Sequence, residues 1–393
     1  MLQVFHNAGF QLMGRTKYIF MAFSAVCMAL AIVIIATHGF NYGIDFAGGT
    51  AVQVRFAEEP NLDHLRTSLD ASGLGDVSLQ RIGDPKDHEI LIRVERDVES
   101  EKKGEEGGGV SQRVIEALKH LEGTPDPSKI DLNVASEPAV RDFIAARLQT
   151  SDPQAPPSAA ADAAAAILRA RTARGGLFSD VSDVAAVPGL PASVASVLKE
   201  GAVLGKFAVR GVDFVGPTAG AELMTNTMRA IFGAVVGILL YVWFRFHKVA
   251  WGLAAVIALV HDVVIAAGAV AFARKEFSLT VVAALLTIVG YSINDTIVVF
   301  DRVRENLRLY RDQDFEKVVN ASVNQTLSRT VLTVFTVFVA VMALYLYGGE
   351  KLNPMSFCLL VGIIFGSYSS VFVAAGLLVL ANRWLGAKHV RVS

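Results

Sequence analysis

GYSINDTIVVFDRVREN, residues 290–306, closes an apolar run that starts at Ser278 and is long enough to cross a bilayer, yet it carries Asn294 and Asp295 before its charged exit. A carboxylate inside the hydrocarbon core costs about 2.5 to 3.5 kcal/mol on insertion scales, so an intramembrane aspartate marks a functional site by default. Asp295 precedes the boundary at Asp301 by six residues, which puts it roughly 9 Å inside the span at ~1.5 Å per residue. Ser292, Asp295, Thr296 and Val299 share one helical face by the i, i+3, i+4 rule, and that polar stripe turns the acid towards other helices. A buried structural hydrogen-bond acceptor is the competing reading.

The surroundings fit a membrane protein. Of 393 residues, 53% are hydrophobic and only 19% charged, which is too apolar for a soluble chain of this length. The two cysteines, Cys27 and Cys358, both sit in apolar runs and imply no disulfide framework. Six stretches are long enough to span: 18–39, 229–244, 250–272, 278–300, 329–347 and 355–381. The first is an uncleaved anchor rather than a signal peptide, because its apolar run is too long and no small-residue cleavage site follows it. Residues 1–17 and 382–393 form the tails, and 301–328 the longest loop on their side.

Orientation follows from the cations near the spans. Thirteen Lys and Arg residues fall on the side of the two tails, against three (Arg274, Lys275 and Lys351) in the opposite short loops. Both termini are therefore expected in the cytoplasm, with residues 40–225 outside the inner membrane. That segment holds 28 acidic and 19 basic residues, a net charge of −9, which argues against nucleic-acid binding.

Within it, alternation in Thr50–Phe56, Val77–Ile82, Glu89–Val94 and Phe207–Val215 predicts strands, and the patterns of Leu62–Ser72 and Val110–Leu121 predict helices. The order β-α-β-β-α-β is that of a ferredoxin-like sandwich, built from residues 45–122 and 206–216. Residues 123–205 interrupt it and exceed any ordinary loop. They read as a helical insertion: a Pro-rich linker at Thr150–Ser158, a helix from Ala159 to Arg174, and a helix-hairpin-helix-like element over 177–201, with Ser179 and Ser193 near its helix starts and a Pro188-Gly189 turn.

Other polar groups lie near Asp295 in the span map. Arg329 opens the fifth span at comparable depth and either pairs with the acid or is a plain interfacial anchor that snorkels. His261 and Asp262 sit near the middle of the third span about 100° apart, so at most one faces Asp295 squarely. Asp262 suits a second relay carboxylate; His261 either titrates near neutral pH or donates to a backbone carbonyl. Asp301, Arg302, Arg304 and Glu305 mark the cytoplasmic exit, with a solvated ion-pair cluster as the default. Gly362, Gly366, Ser370 and Ala374 recur every four residues, a spacing that lets helices approach closely.

Four segments together resemble the SecF family of membrane subunits of the bacterial protein-export translocase: GIDFAGGT (43–50), VGPTAG (215–220), the 294–306 stretch, and SVNQTLSRT (322–330) with LYLYGG (344–349). The resemblance implies a six-span, half-RND-type α-helical membrane domain with an outer α+β domain. It implies work beside the SecYEG channel with the sister subunit SecD, drawing on proton or sodium flow to help export unfolded polypeptide. It places ion passage on Asp295, with the adjacent Asn294, and on Arg329. It also assigns hinges between the outer domain and its spans to Asp45, Gly48 and Gly49 and to Gly216, Pro217 and Gly220; tight turns without a mechanical role are the alternative.

No nucleophile–base pair, phosphate loop or metal-ligand cluster is apparent in the sequence, so no enzyme activity and no cofactor beyond a transported H⁺ or Na⁺ are expected. Two further readings stand beside the translocase. One is half of an RND-type small-molecule or lipid transporter, and the other is a passive membrane scaffold whose intramembrane acids are structural.

Overall fold

The computed structural model describes residues 9–74, 76–82, 85–95, 108–122, 126, 128–152, 156, 158–246 and 249–384. In chain order the elements are α1 (Thr16–His38), β1 (Asn41–Tyr42), α2 (Ile44–Ala47), β2 (Gly49–Phe56), α3 (Leu62–Ala71), β3 (Asp76–Ile82), β4 (Glu89–Glu95) and α4 (Gly108–Glu122). They continue with β5 (Ile130–Asp131), α5 (Glu137–Ser151), α6 (Ala159–Ala173), α7 (Val181–Ala185), α8 (Ala192–Gly201), β6 (Ala202–Val203) and β7 (Phe207–Val215). The last are α9 (Pro217–Phe246), α10 (Val249–Phe272), β8 (Glu276–Phe277), α11 (Leu279–Leu309), α12 (Phe315–Tyr347), α13 (Asn353–Ser369), a π-helical turn at Ser370–Ala374, and α14 (Ala375–Trp384). The chain divides into two units, Ala47–Ala221 and the remainder.

In the first unit, β3-β4-β2-β7 form one antiparallel sheet. Numbering those four strands by sequence, the order is 2-3-1-4, the ferredoxin-like arrangement expected from the pattern. Alternate residues Val52, Val54, Ile90, Ile92 and Val94 bury one face against Leu65 and Leu69 of α3 and Val114 and Leu118 of α4. Asn61 caps α3, its side chain accepting from the amides of Asp63 and His64, and Gly73 ends it at φ +67°.

The insertion has its own apolar core, drawn from α5, α6, α7 and α8. The sequence reading leaves out helix α5, although Ser136 caps it and Val140, Ile144 and Leu148 recur every four residues on its buried face. Ser179 and Ser193 do lie near the helix starts: Asp180 caps α7 by accepting from the Ser182 amide at 2.8 Å, one residue after Ser179, and α8 follows Pro191, with Ser193 in its first turn. Residues 150 and 151 of the expected Pro-rich linker end α5, and 153–155 and 157 lie outside the described residues.

Among the described residues, six helical segments are long and apolar enough to cross a membrane, all but the first turn of one of them in the second unit. Their bounds correct the sequence reading. The second runs over Thr218–Phe246 rather than 229–244, and the stretch expected as a loop, 301–328, is mostly helix, with only residues 310–314 between α11 and α12. Arg, Glu, Lys and Gln at i, i+3 and i+4 spacing favour a helix as strongly as apolar residues do, so the membrane ends where polarity begins but the helix does not. Asn306 fixes this hairpin, donating to Ser322 Oγ at 2.9 Å and Gln325 Oε1 at 2.8 Å.

Helices α10, α11 and α13 are the buried centre; α1, α9 and α12 lie outside them. The small-residue stripe of α13 meets α11 rung by rung: Gly362 against Ile288, Gly366 against Ser292, and Ser370 against Thr296. Rising numbers on both helices mean that they run parallel. A Cβ on Gly366 would come 3.3 Å from Ser292 Cβ, so glycine sets this close approach.

Candidate functional site

The site is a polar cluster inside that centre. Ser292, Asp295, Thr296 and Val299 are all buried on the inward face of α11, as the periodicity predicts. Asp262 of α10 is fully buried and closes its carboxylate on three donors. Ser292 Oγ and Ser369 Oγ each donate to Oδ2 at 2.6 Å, and His261 Nδ1 lies 2.9 Å from Oδ1. One carboxylate thereby ties α10, α11 and α13 together. Thr296 and Ser370 share a hydrogen bond at 3.0 Å one turn further along.

Ser369 was missed in the sequence. Its place depends on the π-helical turn that starts at Ser370, which widens the backbone where α13 passes Asp262. No local sequence signal announces that turn.

Asp295 is treated differently. It is 5% exposed, and its Oδ2 has no hydrogen-bond partner among the described residues. Arg329 lies within electrostatic reach. Asp295 stands 14 residues from the end of α11 and Arg329 the same number from the start of α12, so across the hairpin each is about 21 Å from its helix end. The matching depth expected from the sequence therefore holds, although Arg329 itself is exposed on the outer surface of α12 and makes no ion pair with the acid.

His261 is buried with Asp262, and its Nε2 has no hydrogen-bond partner among the described residues. A donation to a backbone carbonyl is thus not what the ring makes. Asn294 does not join Asp295 in the buried cluster: it is exposed, because a neighbour of Asp295 is turned about 100° away from it.

At the exit, Asp301 accepts from Arg245 Nη2 at 2.6 Å, and Arg302 bonds Glu305 and Gln325, both at 2.6 Å. Of the terminal cations, Lys17 is no loose anchor. It is buried, pairs with Glu316 at 2.9 Å and donates to Met13 O at 2.9 Å, while Asn320 and Asn324 hold the backbone of residues 10–13. Lys248, Lys388 and Arg391 lie outside the described residues.

The 43–50 motif has a local structural cause. Asp45 Oδ2 accepts from the amide of Leu279 at 2.9 Å and so caps α11, the helix that carries Asp295. Strand β1 pairs with β8 beside it, and Gly43 N donates to Phe277 O at 3.0 Å. Gly48 and Gly49 adopt φ +71° and +122°, angles that demand glycine. Gly216 needs none, since a Cβ there meets nothing and its φ is ordinary; Pro217 opens α9, and Gly220 lies in its first turn.

A family model for the C-terminal region of the protein export membrane proteins SecD and SecF matches residues 194–384, and one for the SecD/SecF GG motif matches 33–59. A protein translocase subunit SecF from Koribacter versatilis is 38% identical over 392 residues, covering 98% of this chain and 95% of the relative. The chain belongs to the SecF family. A SecF from Desulfurispirillum indicum is 36% identical over 370 residues, covering 93% of this chain and 90% of its own length. The crystal structure of SecDF from Thermus thermophilus, a translocon-associated membrane protein, aligns with a TM-score of 0.65 at 30% identity. That alignment covers 96% of this chain and 39% of the SecDF chain, so this SecF-family member spans well under half of it. The chain is a multi-pass membrane protein and a translocase subunit, and the GG motif of the family is the segment that caps α11 here.

Proposed function

We propose that this SecF-family subunit couples an ion gradient to protein export, working with SecD beside the SecYEG channel on unfolded polypeptide, with H⁺ or Na⁺ bound and released at Asp295. The observation that carries the reading is the Asp295 carboxylate, buried in the membrane unit with an oxygen that has no hydrogen-bond partner among the described residues. Buried polar atoms are ordinarily paired, and an acceptor kept without a donor is where a proton or cation gains most by binding. The chain acts as a transport subunit without a catalytic site or resident cofactor.

The surface of α11 and α12 supports a membrane partner. Asn294 and Arg329 are exposed at membrane depth, where a polar side chain facing lipid is costly. A SecD helix offering hydrogen-bond acceptors would cover them and bring Arg329 into the ion path. Asp262, held by three donors, is the deeper relay position, with His261 beside it. The unit of residues 47–221 is assigned to the extracytoplasmic side of the bacterial inner membrane and both termini to the cytoplasm, on the bias of the loop cations. One of its borders with the membrane unit falls inside the first glycine motif and the other just after the second, which fits these segments as hinges. The insertion is assigned as a protein-contact module.

The test is export into inside-out vesicles carrying the Asp295→Asn subunit with SecD. Loss of gradient-dependent completion, with SecD still bound, is the expected result. Export of a dye or lipid without SecD would favour the small-molecule transporter, and unchanged ion flux in the mutant would favour the scaffold.

A further inference from the structure

The end of the membrane unit at which short-loop cations collect holds an open cavity of about 510 Å³, lined by Arg245 of α9 and by Asp301, Arg304, Glu305, Arg308 and Leu309 of α11. The five α11 residues follow i, i+3, i+4, i+7, i+8 and so form one continuous face. Both acids are already engaged: Asp301 by Arg245 at 2.6 Å, and Glu305 by Arg302, which lies outside the lining, at 2.6 Å. Arg304 and Arg308, one turn apart, make no side-chain hydrogen bond or ion pair among the described residues. The default for such an exit, a self-neutralised ion-pair cluster, therefore leaves two guanidinium forks unspent. Favourable placement at the C-terminal end of a helix accounts for Arg308 but not for Arg304, which is a further turn inside.

The surroundings are apolar on the membrane side. Tyr241 lies one turn deeper than Arg245 on the same face of α9, with Phe244 beside it, and both are exposed. Two adjacent guanidinium groups match a phosphodiester, which they can bind bidentately. The exposed aromatic side chains below them suit acyl chains at the interface.

We propose that this cavity is a binding site for the headgroup of an anionic phospholipid, with Arg304 and Arg308 holding the phosphate and acyl chains lying along Tyr241 and Phe244 of α9. A free phosphate would share the arginines but gain nothing from the aromatic face.

The experiment is native mass spectrometry of the full-length, delipidated chain in detergent, titrated with phosphatidylglycerol or phosphatidylcholine. The expected result is a preference for phosphatidylglycerol that falls about fivefold in Arg304→Gln and again in Arg308→Gln. Lys317→Gln, which removes a charge from α12 outside the cavity, should leave it intact. Equal binding of the two lipids, a preference retained in the double variant, or an equal loss in Lys317→Gln would overturn the site. Displacement of phosphatidylglycerol by millimolar glycerol 3-phosphate would overturn the lipid assignment in favour of a soluble phosphate. Thermal unfolding of each variant without lipid separates loss of the site from loss of fold.

Discussion

At the residue scale, Asp262 and Asp295 are two buried carboxylates in one bundle with opposite surroundings. Asp262 is saturated by Ser292, Ser369 and His261, whereas Asp295 keeps an oxygen without a partner among the described residues. Replacing Ser369 by Ala removes one of the short bonds to Asp262 and should cost on the order of 1 kcal/mol, seen as a lower thermal midpoint of the chain in detergent. Ser367→Ala is the comparison, because that hydroxyl returns to Ile363 O of its own helix. An equal drop in both would show that the Asp262 network has no special weight. The inward face of α11 was legible in the sequence, since a 3.6-residue period needs only one helix to be read. Ser369 and the outward turn of Asn294 were not. The first depends on a π-helical turn and a neighbouring helix, and the second on choosing a face for a residue whose polarity alone suggested the site.

At the scale of elements, the capping of α11 by Asp45 links a family motif to the helix that bears Asp295. Asp45→Ala frees the Leu279 amide and should destabilise the membrane unit by about 1 kcal/mol, while Asp45→Asn retains an acceptor and should cost a fraction of that. Faster amide exchange in the first turn of α11 in Asp45→Ala alone is the checkable outcome. The capping could not be read from the sequence, because the two residues are 234 positions apart. The close approach of α13 to α11 could, from its four-residue spacing. Gly366→Val should force α13 off Ser292 and lower assembly, measured as the yield of folded protein extracted from the membrane. Outside the membrane, Asp180 caps α7, and the Ser182 amide and hydroxyl hold its carboxyl below the usual range. A depressed folded value means the cap contributes above the ordinary carboxylate pKa and is lost as pH falls through the lowered one. Protection of the Ser182 amide, corrected for intrinsic exchange, should therefore decline on acidification, and Asp180→Ala should abolish that pH dependence.

At the scale of the whole molecule, the chain is a membrane unit and a ferredoxin-like unit, and the latter carries an insertion with its own core. Strand order and span count were legible because each rests on local periodicity. The length of the hairpin formed by α11 and α12 was not, because polarity reports where lipid ends and says nothing of where a helix does. The insertion leaves and rejoins the fold side by side: β5 pairs with β6, and Gly205 N donates to Asp131 Oδ1 at 2.9 Å. Arg55 and Arg210 both donate to Gly175 O, at 3.0 and 2.7 Å, and Arg210 is presented by a bulge in the β2–β7 pairing. Replacing residues 130–204 by a short turn should then leave the four-stranded sheet intact, read as unchanged exchange protection in β2 and β4. Loss of that protection would mean that the insertion is integral to the sheet. The central claim concerns ion coupling at Asp295. Its most direct measurement is translocation into vesicles that hold SecD with either the native chain or Asp295→Asn, under separately imposed proton and sodium gradients. One gradient should accelerate completion of export with the native chain, and neither should with the variant. Equal acceleration in both would contradict it.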